Sequence, residues 1–232
     1  MIRMNPQITV PPEDIDVIDW FQGHFDGIYA ILHPFIQVSA EHRHLFKERS
    51  VAQPTREQLK ALARPVSWQS VLKLTGIPTI QRLNRLLLES EGAISPQHLD
   101  EVRTLQAQLE ANSLIVPYEG NLPEILLDDF LQSLTDWGYE SALVGNEFGD
   151  RAIKHPISEL LNREPPTLCE DDSMLGSHLT LYTEDFGFLY GTHWDSFYTF
   201  LCGPKEIVSE IVTKYGFEGF FFEPGMHVYW HD

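Results

Sequence analysis

The sequence predicts an α+β fold: a mainly helical first half packed against a mixed or antiparallel sheet of about five or six strands that carries one C-terminal helix. Three observations lead there. Capped apolar patterns with helical period dominate residues 1–113, most of the strong β signal lies between Ser177 and His231, and one well-delimited helix sits inside that aromatic-rich stretch. Residues 114–232 are the sheet-containing half, and the two halves are expected to form one continuous globular unit.

From Pro12 onward Ile15, Ile18, Phe21, Phe25, Ile28 and Leu32 recur at steps of three or four, which predicts a helix, weakened by Gly23 and Gly27 and ended by Pro34. A short helix follows with Thr55 as its N-cap. Ser67 caps the next and Gly76 ends it; Thr79 caps another, with Ile80, Leu83, Leu86 and Leu87 on one side. Ser95-Pro96 opens a helix running to about Asn112, with Leu99, Val102, Leu105 and Leu109 turned inward. After an extended piece at Leu114–Tyr118, Asn121 is expected to cap a helix that Gly138 stops; Tyr139–Gly145 reads as a strand, and Pro156 starts a short helix.

The tail carries the sheet. Leu179, Leu181 and Thr183 alternate with His178, Thr180 and Tyr182 as in a half-buried strand, and Glu184-Asp185 turns the chain into Phe186–Tyr190. Thr192–Asp195 then links to Ser196–Cys202. Gly203 and Pro204 begin a helix whose stripe is Ile207, Val208, Ile211, Val212 and Tyr215, and Gly216 ends it. Two strands, Phe217–Glu223 and Met226–Trp230, flank a Glu-Pro-Gly-Met sequence suited to a type II turn. Aromatic density in this region exceeds the need of one sheet face, so both faces are expected to be covered.

Hydrophobic content of 43% and charged content of 22% are those of an ordinary globular protein. No apolar run reaches bilayer-spanning length and the opening residues lack a signal-peptide core, so a cytoplasmic location is expected, with no membrane partner. Cys169 and Cys202 are read as free thiols. A net charge of −18 disfavours nucleic acid and anionic membranes. Between Arg43 and Arg85, however, nine basic residues stand against two acidic ones, a local +7 that leaves −25 on the remainder. Such a split could orient a partner.

Four strings, Ala30–Gln37 (AILHPFIQ), Arg64–Leu72 (RPVSWQSVL), Leu126–Leu134 (LLDDFLQSL) and Asp195–Gly203 (DSFYTFLCG), together resemble an uncharacterised bacterial family, domain of unknown function 2711. The likeness implies a bacterial, cytosolic, single-unit protein. It transfers no catalytic residue.

Candidate chemistry rests on two places. In the loop Gly191–Phe197, His193, Trp194 and Asp195 sit where a rigid sheet can present side chains to a ligand, and His178, Glu223 and His227 could join them in a His/carboxylate cluster. Their spacing matches no metal motif, and no metal or cofactor is assigned. The bland alternative has Trp194 covering the core edge and His193 solvated. The second place is a helix-turn-helix-like stretch, Ser67–Leu88, whose Lys73, Arg82 and Arg85 could contact phosphate; the arginines fall where that motif packs apolar residues, so two ordinary packed helices are favoured. Asp185-Phe186-Gly187 spells the kinase metal-binding tripeptide without the rest of that signature. Missing catalytic signatures and the charge split favour a non-catalytic binding module for a small molecule or protein. Its alternatives are an enzyme, such as a metal-assisted hydrolase using the His193/Asp195 loop, and a nucleic-acid regulator using Arg82 and Arg85.

Overall fold

The structure, a computed structural model, describes residues 9–47, 54–168, 175 and 178–230. The chain divides into two compact units. One comprises residues 1–32 with 119–229, the other 33–118 with 230–232, so the chain leaves the first unit after Leu32 and returns at Glu119.

The discontinuous unit holds a seven-stranded sheet in which every pair is antiparallel. Its strands are β1 (Gly27–Leu32), β5 (Ser141–Asn146), β6 (Ala152–Pro156), β7 (Leu179–Tyr182), β8 (Leu189–Gly191), β9 (Tyr198–Gly203) and β10 (Gly219–Phe221), in the order β10-β1-β9-β8-β7-β5-β6. Register puts Ile31, Tyr29, Leu201, Tyr190, Leu181 and Val144 on one face. These residues join a buried cluster with helices α7 (Glu124–Asp136), α8 (Ile157–Asn162) and α9 (Lys205–Tyr215). At its centre Phe130 stacks on Tyr190 at 4.7 Å and meets Phe217 edge-on at 5.5 Å. The opposite face is buried as well, with Phe21 of α1 (Val17–Phe21) and Phe222 packed on Phe200.

The fold departs from the sequence reading in several places. The helix expected over Pro12–Leu32 is only α1; Gly23, at φ 83°, breaks it, and Gly27–Leu32 is strand β1 between β9 and β10. All six β1 residues are buried, and a strand buried on both faces reads as an apolar run that also fits a helical period. Edge strand β6 lay unread beside the helix at Pro156. Met226–Trp230 is no strand: Met226 O accepts from Val17 N and Val228 O from the Tyr198 hydroxyl, so its carbonyls are used elsewhere. The half-buried alternation expected at β7 is also absent, since Thr180, Leu181 and Tyr182 are all buried. Phe186, at φ 57° in the β7–β8 turn, packs on Tyr182 rather than beside Phe188. That turn is anchored from within and from outside. Asp185 accepts from Gly187 N and from the Tyr139 hydroxyl, which gives the kinase-like tripeptide a structural use.

Two caps differ for local reasons. Pro123, not Asn121, precedes α7, while the Asn121 amide donates to Glu119 O. Gly203 ends β9, Pro204 takes the cap position of α9, and the Asp26 carboxylate accepts from Lys205 N. Cys202 is fully buried in β9 and burial pushes its thiol well up; Cys169 lies outside the described residues.

The second unit is small and mostly helical. It contains α2 (His44–Lys47), α3 (Arg56–Leu62), α4 (Trp68–Thr75), α5 (Ile80–Glu91) and α6 (Leu99–Ala111), with a three-stranded antiparallel sheet of β3 (Arg64–Val66), β2 (Phe35–Gln37) and β4 (Leu114–Ile115). The expected caps Thr55, Ser67 and Thr79 all accept backbone N–H bonds, and Thr55 forms a reciprocal capping box with Gln58. Helix α6 begins after His98 rather than at Pro96, and Leu99 is 51% exposed, not inward. The helices of residues 1–113 are interleaved with β1, β2 and β3, and β1 belongs to the seven-stranded sheet.

Candidate functional site

Strand direction gathers the first group of candidates. Because β5 and β8 each pair antiparallel with β7, they run the same way, so the β5–β6 turn, the β8–β9 loop and the start of β7 lie at one end of the sheet. Phe148, His193 and His178 belong to these three places. The β8–β9 loop is held by its own hydrogen bonds. His193 O accepts from Ser196 N (3.0 Å) and Ser196 Oγ (2.9 Å), and the Thr192 and Thr199 hydroxyls meet at 3.0 Å.

The chain returning at Glu119 clamps this loop. Gly120 N donates to Ser196 O at 3.0 Å, and His178 Nδ1 lies 2.6 Å from Gly120 O, so that nitrogen carries the proton. Gly120 has φ +70°, and a Cβ there would strike the Trp194 carbonyl. Gly120→Ala therefore combines left-handed strain with a backbone clash, and an expected loss of about 2 kcal/mol or more is measurable by urea denaturation.

A cavity of about 550 Å³ opens beside the loop, within the size range of small-molecule sites. Thr9, Pro11, Thr192 and His193 are its buried members, while Trp20, Phe148 and Trp194 supply aromatic surface. Phe148 and Trp194 are 66% and 48% exposed. Glu13, Asp14 and Glu147 add three carboxylates, and no Lys or Arg lines the cavity among the described residues. The Trp20 indole N–H is taken by Thr9 O at 2.7 Å, which fixes that ring.

His193 is 3% exposed. Its Nδ1 lies 3.3 Å from the Asp195 backbone N–H and can only accept there, so the neutral ring carries its proton on Nε2. Burial pushes the imidazole below the usual histidine range, against the opposing pull of Asp195 and Glu13. Such an arrangement does not make the His/carboxylate dyad of acid–base enzymes, in which Nδ1–H donates to the carboxylate. The Asp195 carboxylate instead faces Tyr229, whose hydroxyl lies 3.0 Å from Asp195 Oδ2 and 3.0 Å from Glu13 Oε1. Burial and the two carboxylates push the Tyr229 phenol far up.

His178, His193, Trp194 and Asp195 thus share one neighbourhood. Glu223 does not join them, because β10 runs parallel to β9 and delivers it to the opposite end of the sheet. His227 acts on Asp16, which caps α1 and accepts from Gly225 N. Among the described residues no three His, Cys, Asp or Glu side chains are grouped to hold a metal ion. Glu13, Trp20, Glu147, Phe148 and Tyr229 were not singled out by the sequence. Phe148 carried the best available signal, an aromatic residue set between turn formers in Asn146–Asp150.

The basic candidates are committed within their own unit. Arg82 forks onto Glu101 at 2.6 and 3.2 Å, and Arg85 Nε donates to Glu89 at 3.1 Å. Glu89 has a fully buried side chain and also accepts from Gln97 N (3.0 Å), His98 N (2.8 Å) and His98 Nδ1 (2.7 Å). Burial opposes its ionisation, yet these bonds outweigh that and lower its carboxyl to about 2. Lys73, in the last turn of α4, is exposed.

The geometry defines an α+β protein whose antiparallel sheet presents an aromatic, carboxylate-flanked cavity at one end. The chain belongs to the family described as protein of unknown function DUF2711, whose model matches residues 13–232. Comparison with curated proteins and with solved structures found no match. No helix among the described residues is long and apolar enough to cross a membrane.

Proposed function

We propose that the sheet-bearing unit is a binding module that takes a small molecule into the cavity beside the β8–β9 loop. The observation carrying this reading is His193, a side chain 3% exposed that lines an aromatic cavity, with Nδ1 accepting from the Asp195 backbone N–H so that Nε2 is the ring nitrogen left to donate. An Nε2–H at the cavity lining can donate to a ligand oxygen or nitrogen. Two large hydrophobic side chains left exposed at the same place point the same way. The reading keeps a bacterial cytosolic setting and non-catalytic role as its corollaries.

Ligand-observed NMR with a library of small neutral, anionic and cationic compounds tests it. Compounds should bind the full chain and lose that binding in Phe148→Ala and Trp194→Ala, both of which remove exposed rings and leave the fold intact by circular dichroism. A library that yields no ligand sensitive to either substitution would overturn the reading.

A further inference from the structure

We infer that β10 is an interface strand whose outer edge pairs antiparallel with β10 of a second copy of this chain, about a two-fold axis at Phe220. The inference is independent of the cavity. Leu32 N donates to Glu218 O at 2.8 Å and Phe222 N to Ile28 O at 2.9 Å, with Ile31 opposite Gly219 and Tyr29 opposite Phe221. Antiparallel bonding alternates along a strand, so Glu218, Phe220 and Phe222 turn their backbone groups to β1, while Gly219 and Phe221 turn theirs outward. Within this unit β10 is the last strand of the sheet, its three residues are half-buried, and no described residue takes up those outward groups.

The other edge of the same sheet is built to refuse a strand. Asn146 N donates to Arg151 O, so by the same alternation the outward positions of β6 are Ala152, Lys154 and Pro156. A charged lysine and a proline without an N–H are the usual guards of an edge. Strand β10 has neither, being Gly219, Phe220 and Phe221. A sheet that guards one edge and lines the other with aromatic residues has a strand to add there.

The residue order in β10 selects the occupant. About an axis at Phe220, Gly219 of each copy lies opposite Phe221 of the other, and each such pair exchanges both of its N–H···O bonds. The bare glycine, where a Cβ would strike the Ala30 carbonyl, receives the facing Phe221 ring, as aromatic side chains do for edge glycines. Phe220 meets Phe220 of the second copy across the axis as an aromatic cross-strand pair. One strand pair is a small interface, and a charge of −18 on each copy opposes it, so association is reversible and tightens as salt screens the repulsion.

Sedimentation of the full chain tests this. The mass should rise with concentration from 26.7 kDa toward twice that value, and more readily at higher ionic strength. Phe220→Lys sets like charges opposite each other across the axis and should hold the chain at the single-copy mass with an unchanged circular dichroism spectrum. Phe220→Cys in a Cys169→Ser background gives a readout independent of that variant: facing Cα atoms in such a pair lie about 4.5 Å apart, within disulfide range, so mild oxidation should link two copies. Phe148→Cys, exposed but away from this edge, should not link. A chain that keeps the single-copy mass at millimolar concentration and high salt overturns the inference and leaves the edge to an extended segment of another protein. Cross-linking as ready through position 148 as through position 220 overturns it as well, and neither result touches the cavity.

Discussion

Replacing Glu89 by alanine is expected to destabilise the helical unit by about 3 kcal/mol, because it strands Arg85, His98 and two backbone N–H groups that all converge on one buried carboxylate. The Arg103–Asp100 pair on α6 sets the contrast: both side chains are largely exposed, and Asp100→Ala should change stability by less than about 0.5 kcal/mol. The Glu89 contribution also depends on pH in a defined direction. Its carboxyl is lowered from an ordinary 4.5 to about 2, so the stabilisation is complete above about pH 4.5 and disappears as pH falls through about 2. Urea denaturation of the wild type across that window should show falling stability, and Glu89→Ala should flatten it. Hydrogen exchange locates the effect, with faster exchange expected in α5 and α6. An unchanged exchange pattern there would refute the assigned role.

The second large effect belongs to the sheet unit. Phe130→Ala empties the centre of the cluster formed by Tyr190 and Phe217, and the expected loss is about 3–5 kcal/mol. Ser133 reports on the same contact. Its Oγ donates to Phe130 O at 2.7 Å and accepts from the Tyr190 hydroxyl at 2.6 Å, so Ser133→Ala should cost about 1–3 kcal/mol by orphaning a buried phenol. A loss below 1 kcal/mol for Phe130→Ala in urea would mean that the cluster is not the centre of that core.

Helix caps were legible in the sequence because they are local. Thr55, Ser67, Thr79, Gly76 and Gly216 hold the places their chemistry predicts. Strands β8 and β9 were legible from aromatic residues between turn formers, and β7 from an alternation that its burial does not follow. What could not be read was pairing across long sequence separation. Nothing near Gly27 announces that Cys202 and Phe221 will flank its strand, and a twice-buried strand has no alternation to betray it. The site followed the same rule. His193, Trp194 and Asp195 sit in a hairpin loop and were found; Glu13, Phe148 and Tyr229 reach that loop only through the sheet's connectivity. The arginines of α5 looked available because Glu101, the partner of Arg82, lies on a neighbouring helix, while Glu89, four residues after Arg85 on α5, is bound with its own side chain fully buried.

Strand β1 sets a constraint on biosynthesis. Its ladder partners on both sides, β9 and β10, lie far along the chain from it and are translated much later. At about 5–20 residues per second, an apolar hexapeptide leaves the ribosome on the order of ten seconds or more before anything exists to pair with it. The nascent protein therefore carries an open apolar segment, Gly27–Leu32, until β9 and β10 emerge, and in that interval the segment is exposed to aggregation.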